Sequence, residues 1–255
     1  MNARGLSSFL FEIASNERLE ILAAVLERPR KHSEIARRLS MTGSETTRHL
    51  ARLASAGLVE KGPNGAYGPT PLAELVWAGL PFLDFAHEHR DYVRRHRLLA
   101  LDPAFVARLG ELAHGSFNEG AYQVIAVQEA ALRAVRRRAW IVTVQRFEQA
   151  IPILRAKHEA GADVRVVRPR PLVDEERRGG RDVRRNFPLR LLPRVDLFLA
   201  VLDDQAGVCL PSLDGTVDMT TMILLTDPGG VRWAEDLFLR LWDRAQDSRT
   251  IGGPR

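Results

Sequence analysis

The sequence predicts two folds in one chain: an α+β domain at the N-terminus, followed by a larger α/β domain. Three observations support this prediction. Residues 1–80 show short helical patterns followed by a two-stranded hairpin. After residue 116, apolar runs of strand length alternate with helical patterns. The 255 residues are 45% hydrophobic and 27% charged, which are ordinary globular values and exclude a largely disordered chain.

Composition narrows the class of protein further. Cys209 is the only cysteine, which excludes a disulfide framework and a multi-cysteine zinc site. The longest apolar runs, such as residues 197–202, have strand length, far short of the ~20 residues of a membrane span. We therefore expect a cytoplasmic protein with no membrane partner. The net charge of +5 permits a polyanionic partner without requiring one.

The elements of the first domain follow from apolar spacing and from helix stop signals. Apolar residues three and four positions apart predict helices over residues 17–26, 33–39 and 44–56. Residues 58–61 and 66–70 predict two strands joined by a Gly-Pro-Asn-Gly turn. The order of helix, short helix, tight turn, helix and hairpin is that of a winged helix-turn-helix domain.

The remaining elements predict a connector over residues 81–115 and an α/β domain over 116–255. Helical patterns cover residues 71–96 (interrupted at Pro81), 103–112, 121–137, 147–160 and 231–246. Strand patterns cover residues 140–144, 163–167, 195–202, 206–210 and 219–225. An arginine-rich loop is predicted over residues 169–188. The alternation of helices and strands favours at least one parallel strand pair.

The third helix of a winged helix-turn-helix enters the major groove of DNA, and the hairpin contacts the neighbouring backbone. Its outward residues are therefore candidates for DNA binding. The candidates are Thr42, Ser44, Glu45, Thr47, Arg48 and Arg52 on the helix, with Lys61 and Asn64 on the hairpin. Arginine offers paired donors to guanine, and hydroxyls reach phosphate. Glu45 would repel phosphate, so it either accepts from cytosine or stabilises the start of the helix.

Four sequence motifs of the first domain occur in the same order as in a known family. They are Asn16-Glu-Arg-Leu-Glu-Ile-Leu22, Ser33-Glu-Ile-Ala36, Thr47-Arg-His-Leu50 and Leu53-x3-Gly57-Leu-Val59. Over about residues 10–75 the chain resembles the ArsR/MarR-type winged-helix repressors of bacteria and archaea. The resemblance implies a regulator that binds double-stranded DNA.

Looser patterns in the second half are similar to a second family. They are Asp91-Tyr-Val-Arg-Arg-His96, Leu101-Asp-Pro103, Arg108-Leu-Gly-Glu-Leu112, Cys209-Leu-Pro-Ser-Leu-Asp-Gly215 with Asp218, and Trp233-x3-Leu237-Phe238-x3-Trp242. They resemble the effector domain of archaeal methanogenesis-regulator (Fil-type) transcription factors. That resemblance implies an effector domain placed after a winged helix, which is the order found here.

Residues 140–167 also resemble the phospholipase-D-like fold, whose enzymes use a His-x-Lys motif. None of the seven histidines is followed by lysine two residues later. We therefore expect an effector domain of this general kind that is phospholipase-D-like but non-catalytic, without a cofactor.

Candidate ligand-binding residues follow from the strand order. A crevice lies beyond the carboxyl ends of parallel strands in an open α/β sheet. Gln145 and Arg146 follow one predicted strand, and Arg168 follows the next. The alternative is that they are solvated loop residues. Residues 165–194 carry ten arginines against four acidic residues, which suits an anionic ligand, a DNA phosphate contact or a solvated loop.

Together these observations predict a DNA-binding transcriptional regulator that forms a homodimer and senses a small molecule. One alternative is a phospholipase-D-like hydrolase or nuclease with a DNA-targeting domain. A second is a metal-responsive ArsR-type repressor that uses His87, His89 or His96. A third is an architectural DNA-binding protein without a ligand.

Overall fold

The computed structural model describes residues 3–146, 148–180, 183–248 and 250. The chain divides between Leu80 and Pro81 into two compact units. The sequence predicts the same last residue for the first domain. Residues 81–115, predicted as a separate connector, belong to the second unit, because Phe85 and Phe105 are buried in that unit's core.

The first unit is a helical domain with a small sheet. Its described elements are α1 (Ala3–Ile13), α2 (Asn16–Glu27), β1 (Arg30–Lys31), α3 (His32–Arg38), α4 (Gly43–Ser55), β2 (Val59–Lys61), β3 (Ala66–Pro69) and the first part of α5 (Pro71–Glu88). The three predicted helices and the hairpin are confirmed with shifts of one residue at their ends. The sheet order is β1-β3-β2, and both pairings are antiparallel.

The first unit closes around apolar side chains from its central helices. Ile21 on α2, Ile35 on α3 and Leu50 on α4 are fully or almost fully buried and form one cluster. After α4 the chain turns at Gly57, whose φ of +73° lies in the left-handed region that glycine adopts without strain. This turn ends α4 and leads the chain directly into β2, the first strand of the hairpin.

The second unit is built on one large sheet. Its described elements are α6 (Arg90–Arg95), α7 (Pro103–Val106), β4 (Ser116–Glu119), α8 (Ala121–Ala134), β5 (Arg138–Val142), α9 (Ala150–Glu159), β6 (Asp163–Pro169), α10 (Arg170–Arg178), β7 (Leu189–Leu192), β8 (Phe198–Leu202), β9 (Gln205–Cys209), β10 (Thr221–Leu225), α11 (Pro228–Arg244) and β11 (Gln246–Asp247). Short 3-10 turns occupy Leu98–Ala100, Leu109–Leu112 and Val183–Arg185.

The strand order of this eight-stranded sheet, counted over the described residues, is β11-β7-β6-β5-β8-β9-β10-β4. β5, β6 and β7 run parallel to their neighbours in this group, which confirms the predicted parallel pairing. All other pairings are antiparallel. The carboxyl ends of β5 and β6 therefore meet at one edge of the sheet, as the ligand prediction requires.

Both faces of the sheet are covered, because successive side chains of a strand point to opposite faces. On β5, Trp140 and Val142 join the apolar cluster that contains Trp233 of α11. Ile141 joins the opposite cluster, which contains Leu154 of α9. The sheet thus has α11 on one face and α8 and α9 on the other.

Two predictions about secondary structure were wrong. Pro81 does not interrupt a helix, since α5 runs through it to Glu88 and the break comes before α6 at Arg90. The backbone of Pro81 packs so closely on Gly110 that a Cβ at residue 110 would lie 2.5 Å from the Pro81 carbonyl carbon. The arginine-rich segment is not one loop, because α10 forms a regular helix within it.

Smaller differences concern element ends. The predicted helix over residues 103–112 is split into α7 and a 3-10 turn, and β1, β4, β7 and β11 were not predicted. α9 begins at Ala150, while the predicted start at Phe147 lies outside the described residues. Within the described residues, no helix combines the length and the apolar character needed to cross a bilayer.

Candidate functional site

The start of α4 is held by a reciprocal capping box between two of the predicted DNA-binding residues. The Oγ1 of Thr42 accepts from the backbone N–H of Glu45 (3.2 Å), and the Glu45 carboxylate accepts from the backbone N–H of Thr42 (2.9 Å). The Thr42 hydroxyl and N–H also lower the pKa of Glu45, so the carboxylate stays charged. Glu45 therefore stabilises the helix start, one of the two roles that the sequence left open.

The two faces of α4 differ as predicted. Thr46, Leu50 and Leu53 are buried, whereas Ser44, Thr47 and Arg48 are exposed. His49 is also buried, with 8% of its surface exposed, and burial lowers its pKa. The helix thus presents a short polar surface made by its first turns.

Within that surface, Thr47 is fixed by two neighbours. Its Oγ1 donates to the Gly43 carbonyl oxygen (2.9 Å) and lies 3.0 Å from Nε2 of His32 on α3. Ser44 Oγ lies 3.2 Å from Oγ1 of Thr42. His32 was not among the predicted residues, because it lies eleven positions before the start of α4 and no spacing rule links the two.

Arg48 and Arg52 lie one helical turn apart, but their surroundings differ. The guanidinium of Arg48 is exposed and has no hydrogen-bond or ion-pair partner among the described residues. Arg52 donates through Nε and Nη2 to the two carboxylate oxygens of Glu12 on α1, each at 2.8 Å. This hydrogen bond also lowers the pKa of Glu12. The charge of Arg52 is therefore engaged inside the unit, while that of Arg48 is available.

The hairpin residues are exposed at the turn between β2 and β3. Asn64 Oδ1 accepts from the backbone N–H of Ala66 (3.0 Å), so its side-chain carbonyl shapes the turn, and the residue is exposed. The Nζ of Lys61 lies 5.8 Å from the centroid of the Tyr67 ring. Both side chains remain accessible at one end of the hairpin, as predicted.

The second unit contains a cavity of about 100 Å³ between α8, α9 and the sheet. Most of its wall is apolar, with Ile125 and Leu132 from α8, Leu154 from α9 and Ile141 from β5. The polar groups in the wall include Thr143, Gln145 and Arg168, which lie at or just after the carboxyl ends of β5 and β6. Two of the three predicted ligand residues therefore line one cavity.

Arg168 and Glu176 form a buried ion pair beside the cavity. Nη1 of Arg168 donates to Oε2 of Glu176 (2.7 Å) and Nη2 donates to Oε1 (2.9 Å), while the side chains are 6% and 5% exposed. Nη2 also donates to the carbonyl oxygen of Gln145 (3.0 Å). The buried Nε of Arg168 has no hydrogen-bond partner in the described part of the chain.

Arg146, the third predicted ligand residue, is placed differently. It is exposed, forms an ion pair with Glu175 of α10, and is not part of the described cavity wall. The hydrogen bond that its guanidinium donates to the Glu175 carboxylate raises the pKa of Arg146. Arg146 therefore helps to fix α10 above the end of β5 rather than facing the cavity.

His87, His89 and His96, the histidines of the metal-responsive alternative, have different surroundings. His89 packs between the rings of Phe85 and Phe117, while His96 bridges the Tyr92 carbonyl oxygen (2.7 Å) and Oδ2 of Asp218 (3.1 Å). His87 is exposed. Over the residues that the structure covers, no group of three or more His, Cys, Asp or Glu side chains is arranged to hold a metal ion.

A comparison with protein families matches residues 15–61 to the helix-turn-helix of a family described as bacterial regulatory protein, arsR family. These residues run from the cap of α2 to the end of β2. The segment is similar to the helix-turn-helix of that family. The match supports a DNA-binding regulator and confirms the coarser part of the sequence resemblance, since it covers α4 and its polar face.

Solved structures give weaker likenesses over longer stretches. An archaeal chromatin protein, TrmBL2, described as showing a novel mode of DNA binding, is 13% identical with a TM-score of 0.41, covering 97% of this chain and 100% of that one. A phospholipase D family member, Nuc from Salmonella typhimurium, is 11% identical with a TM-score of 0.42, covering 52% of this chain and 98% of that one. No curated protein sequence matches the chain.

Proposed function

We propose that this protein is a homodimeric transcriptional regulator that binds double-stranded DNA through α4 and the hairpin, and that its second unit senses a small molecule. The ArsR-family helix-turn-helix at residues 15–61 carries the DNA-binding part. Arg48 supplies the principal contact, because it is a cation without a partner in the described part of the chain and lies on the exposed face of the helix that enters the major groove.

The homodimer is proposed from the exposed apolar side chains of the first unit. Leu6 (40% exposed) and Leu10 (43%) lie on α1, and Leu72 (42%) and Leu75 (72%) lie on α5. Large apolar side chains grouped on helices are typical of interaction surfaces. A two-fold dimer also matches the way helix-turn-helix proteins read two half-sites.

Ligand sensing is proposed for the second unit because two predicted residues, Gln145 and Arg168, line its cavity. A molecule bound there regulates DNA binding only if it binds one arrangement of the protein more tightly than another. We also propose that the unit is not catalytic, since the chain has no His-x-Lys motif. Phosphodiester cleavage by the purified protein, abolished by a substitution in the second unit, would favour the hydrolase alternative.

The DNA-binding proposal is tested by Arg48→Ala, with Arg136→Ala as the matched control. Arg136 is an exposed arginine of the second unit, so both variants remove one surface charge. On a duplex selected by the full-length protein from a random library, Arg48→Ala is expected to lower affinity roughly tenfold. Fluorescence anisotropy at several salt concentrations measures the change. Equal, small effects of the two substitutions would contradict the assignment.

A further inference from the structure

We propose that the cavity between α8, α9 and the sheet binds a small, uncharged and largely apolar molecule that carries a hydrogen-bond acceptor. This inference rests on the proposed function in treating that molecule as the effector of the regulator. The binding itself is argued from the cavity alone, in terms of its size, the buried Nε–H of Arg168, which has no partner among the described residues, and the charges around it.

The size and lining of the cavity restrict the ligand to a small apolar body. Its volume is about 100 Å³, which is of the same order as the roughly 150 Å³ cavity that binds benzene in a protein core. The walls from Ile125, Leu154 and Val166 offer apolar contact. A sugar or a nucleotide would lose hydrogen bonds to water at these walls without replacing them. A single ring or a short branched chain fits the cavity.

The acceptor on the ligand follows from the hydrogen bonds of Arg168. Its Nη1 and Nη2 are both used by Glu176, and Nη2 also serves the carbonyl of Gln145. The Nε–H remains, and it is buried without a partner among the described residues. A buried donor gains free energy when it meets an acceptor. A carbonyl, ether or hydroxyl oxygen on the ligand provides one.

The charges at the cavity favour an uncharged ligand. Arg168 and Glu176 neutralise each other, and both side chains are buried. A carboxylate ligand would bring a second negative charge close to Glu176 in a medium that screens charge poorly. Glu129, also in the cavity wall, is another carboxylate, which is paired with Arg133 at 2.6 Å. A cationic ligand would face the Arg168 guanidinium in the same way.

Three probes of similar shape test these statements on the full-length protein by isothermal titration calorimetry. Acetophenone has an acceptor and no charge, ethylbenzene has neither, and benzoate has an acceptor and a negative charge. We expect acetophenone to bind roughly three- to tenfold more tightly than ethylbenzene, the equivalent of one neutral hydrogen bond, and benzoate to bind most weakly. Equal binding of acetophenone and ethylbenzene, tighter binding of benzoate, or no binding of any probe would overturn the inference.

A pair of substitutions on α8 locates the binding. Ile125 is half-exposed in the cavity wall, so Ile125→Trp is expected to obstruct the cavity and abolish acetophenone binding without unfolding the protein. Tyr122, on the same helix, is 86% exposed and is not part of the described wall, so Tyr122→Trp is the matched control. Unchanged binding in Ile125→Trp would place the probe elsewhere and refute the cavity assignment.

A double substitution tests the role of the Arg168 Nε–H. Arg168→Met with Glu176→Met removes both charges together and keeps side chains of similar length, which avoids a single buried charge. The preference for acetophenone over ethylbenzene should disappear while ethylbenzene still binds. If the preference persisted in this variant, the Nε–H would not be the donor.

The effect of the probe on DNA separates this inference from the proposed function. If acetophenone binds as described and changes DNA affinity, both stand. If it binds as described and leaves DNA affinity unchanged, the ligand assignment stands and the sensing role fails. If no probe binds while Arg48→Ala still weakens DNA binding, the ligand assignment fails and the DNA-binding role stands.

Discussion

The outer face of α4 and the arginine-rich segment 165–194 are the two regions whose arginines the sequence predicts as possible contacts to anions. In the structure the arginines of the two regions have different surroundings. In the segment, described arginines are held by acidic side chains or carbonyl oxygens nearby. The pairs include Arg165 with Asp163, Arg168 with Glu176, Arg170 with Asp174, and Arg194 with Asp196, and Arg190 donates to the Trp242 carbonyl. On α4, Arg48 stays unpaired among the described residues.

The contrast teaches that the number of arginines does not locate an accessible cation. Residues 1–80 carry ten basic and eight acidic residues, a small excess, whereas residues 165–194 carry ten arginines against four acids. Most of the described arginines in this segment form ion pairs or hydrogen bonds that stabilise β6, α10 and the strands around them. Arg181, Asp182 and the side chain of Arg185 lie outside the described residues, so the contrast concerns the rest of the segment.

The largest expected effect on stability concerns the buried ion pair of the segment, Arg168 with Glu176. Arg168→Ala leaves the Glu176 carboxylate buried without its partner, which is expected to lower the free energy of unfolding by about 3–5 kcal/mol. Urea denaturation measures the loss. Arg194→Ala is the control, because its pair with Asp196 is exposed and such pairs contribute about 0–1 kcal/mol. Similar losses in both variants would show that burial does not distinguish the two pairs.

A smaller effect is expected at Asp203, a carboxylate that binds the backbone of three successive arginines. It accepts from the N–H groups of Arg136 (2.9 Å), Arg137 (2.9 Å) and Arg138 (2.8 Å). Burial alone would raise the pKa of Asp203, but these hydrogen bonds lower it below the ordinary value of 3.8. Since the folded pKa is lowered, the stabilisation is complete above pH 3.8 and is lost as the pH falls through the folded pKa.

Asp203→Asn tests this pH dependence. Asparagine keeps one acceptor and tolerates the φ of +50° at this position. At neutral pH the variant is expected to lose about 1–2 kcal/mol of unfolding free energy, and the difference from the parent protein should shrink as the pH falls below 3.8. Denaturation at a series of pH values measures both quantities. A difference that stays constant down to the lowest pH would mean that the charge of Asp203 is not responsible.

The smallest expected effect comes from releasing an arginine on α4. Glu12→Ala removes the carboxylate that engages Arg52, so Arg52 becomes available beside Arg48. If α4 binds DNA as proposed, the salt dependence of DNA affinity should become steeper by about 0.9 in the logarithmic slope, the effect of one added phosphate contact. Glu20→Ala, which removes an exposed acid from α2, is the control. A slope that changes equally in both variants would assign the effect to overall charge.

The spacing of apolar residues and the positions of glycine predicted the secondary structure where local sequence alone determines it. The spacing of Thr46, Leu50 and Leu53, and the glycine at residue 57, predicted α4 and the turn that follows it. The rule that proline stops a helix failed at Pro81, where the helix continues and tertiary packing brings Gly110 against the Pro81 backbone. Such packing between distant residues has no signal in a single sequence.

The candidate sites show the same limit. The strand order sufficed to bring Gln145 and Arg168 to one cavity, because parallel strands end at one edge. It did not reveal that Glu176 pairs with Arg168, that Glu12 engages Arg52, or that His32 contacts Thr47. Each of these contacts depends on how two elements pack, and the side-chain spacing along one element does not encode it.

The two edge strands of the large sheet are short, which affects how readily the protein aggregates in concentrated solution. A sheet edge exposes unpaired backbone N–H and C=O groups that another chain can extend, which begins aggregation. Within the described residues, one edge strand is β11, with two residues, and the other is β4, with four, and they end in Asp247 and Glu119. Short, acidic edges resist such growth. Growth of the sheet by addition of a second chain is therefore opposed at both of these edges.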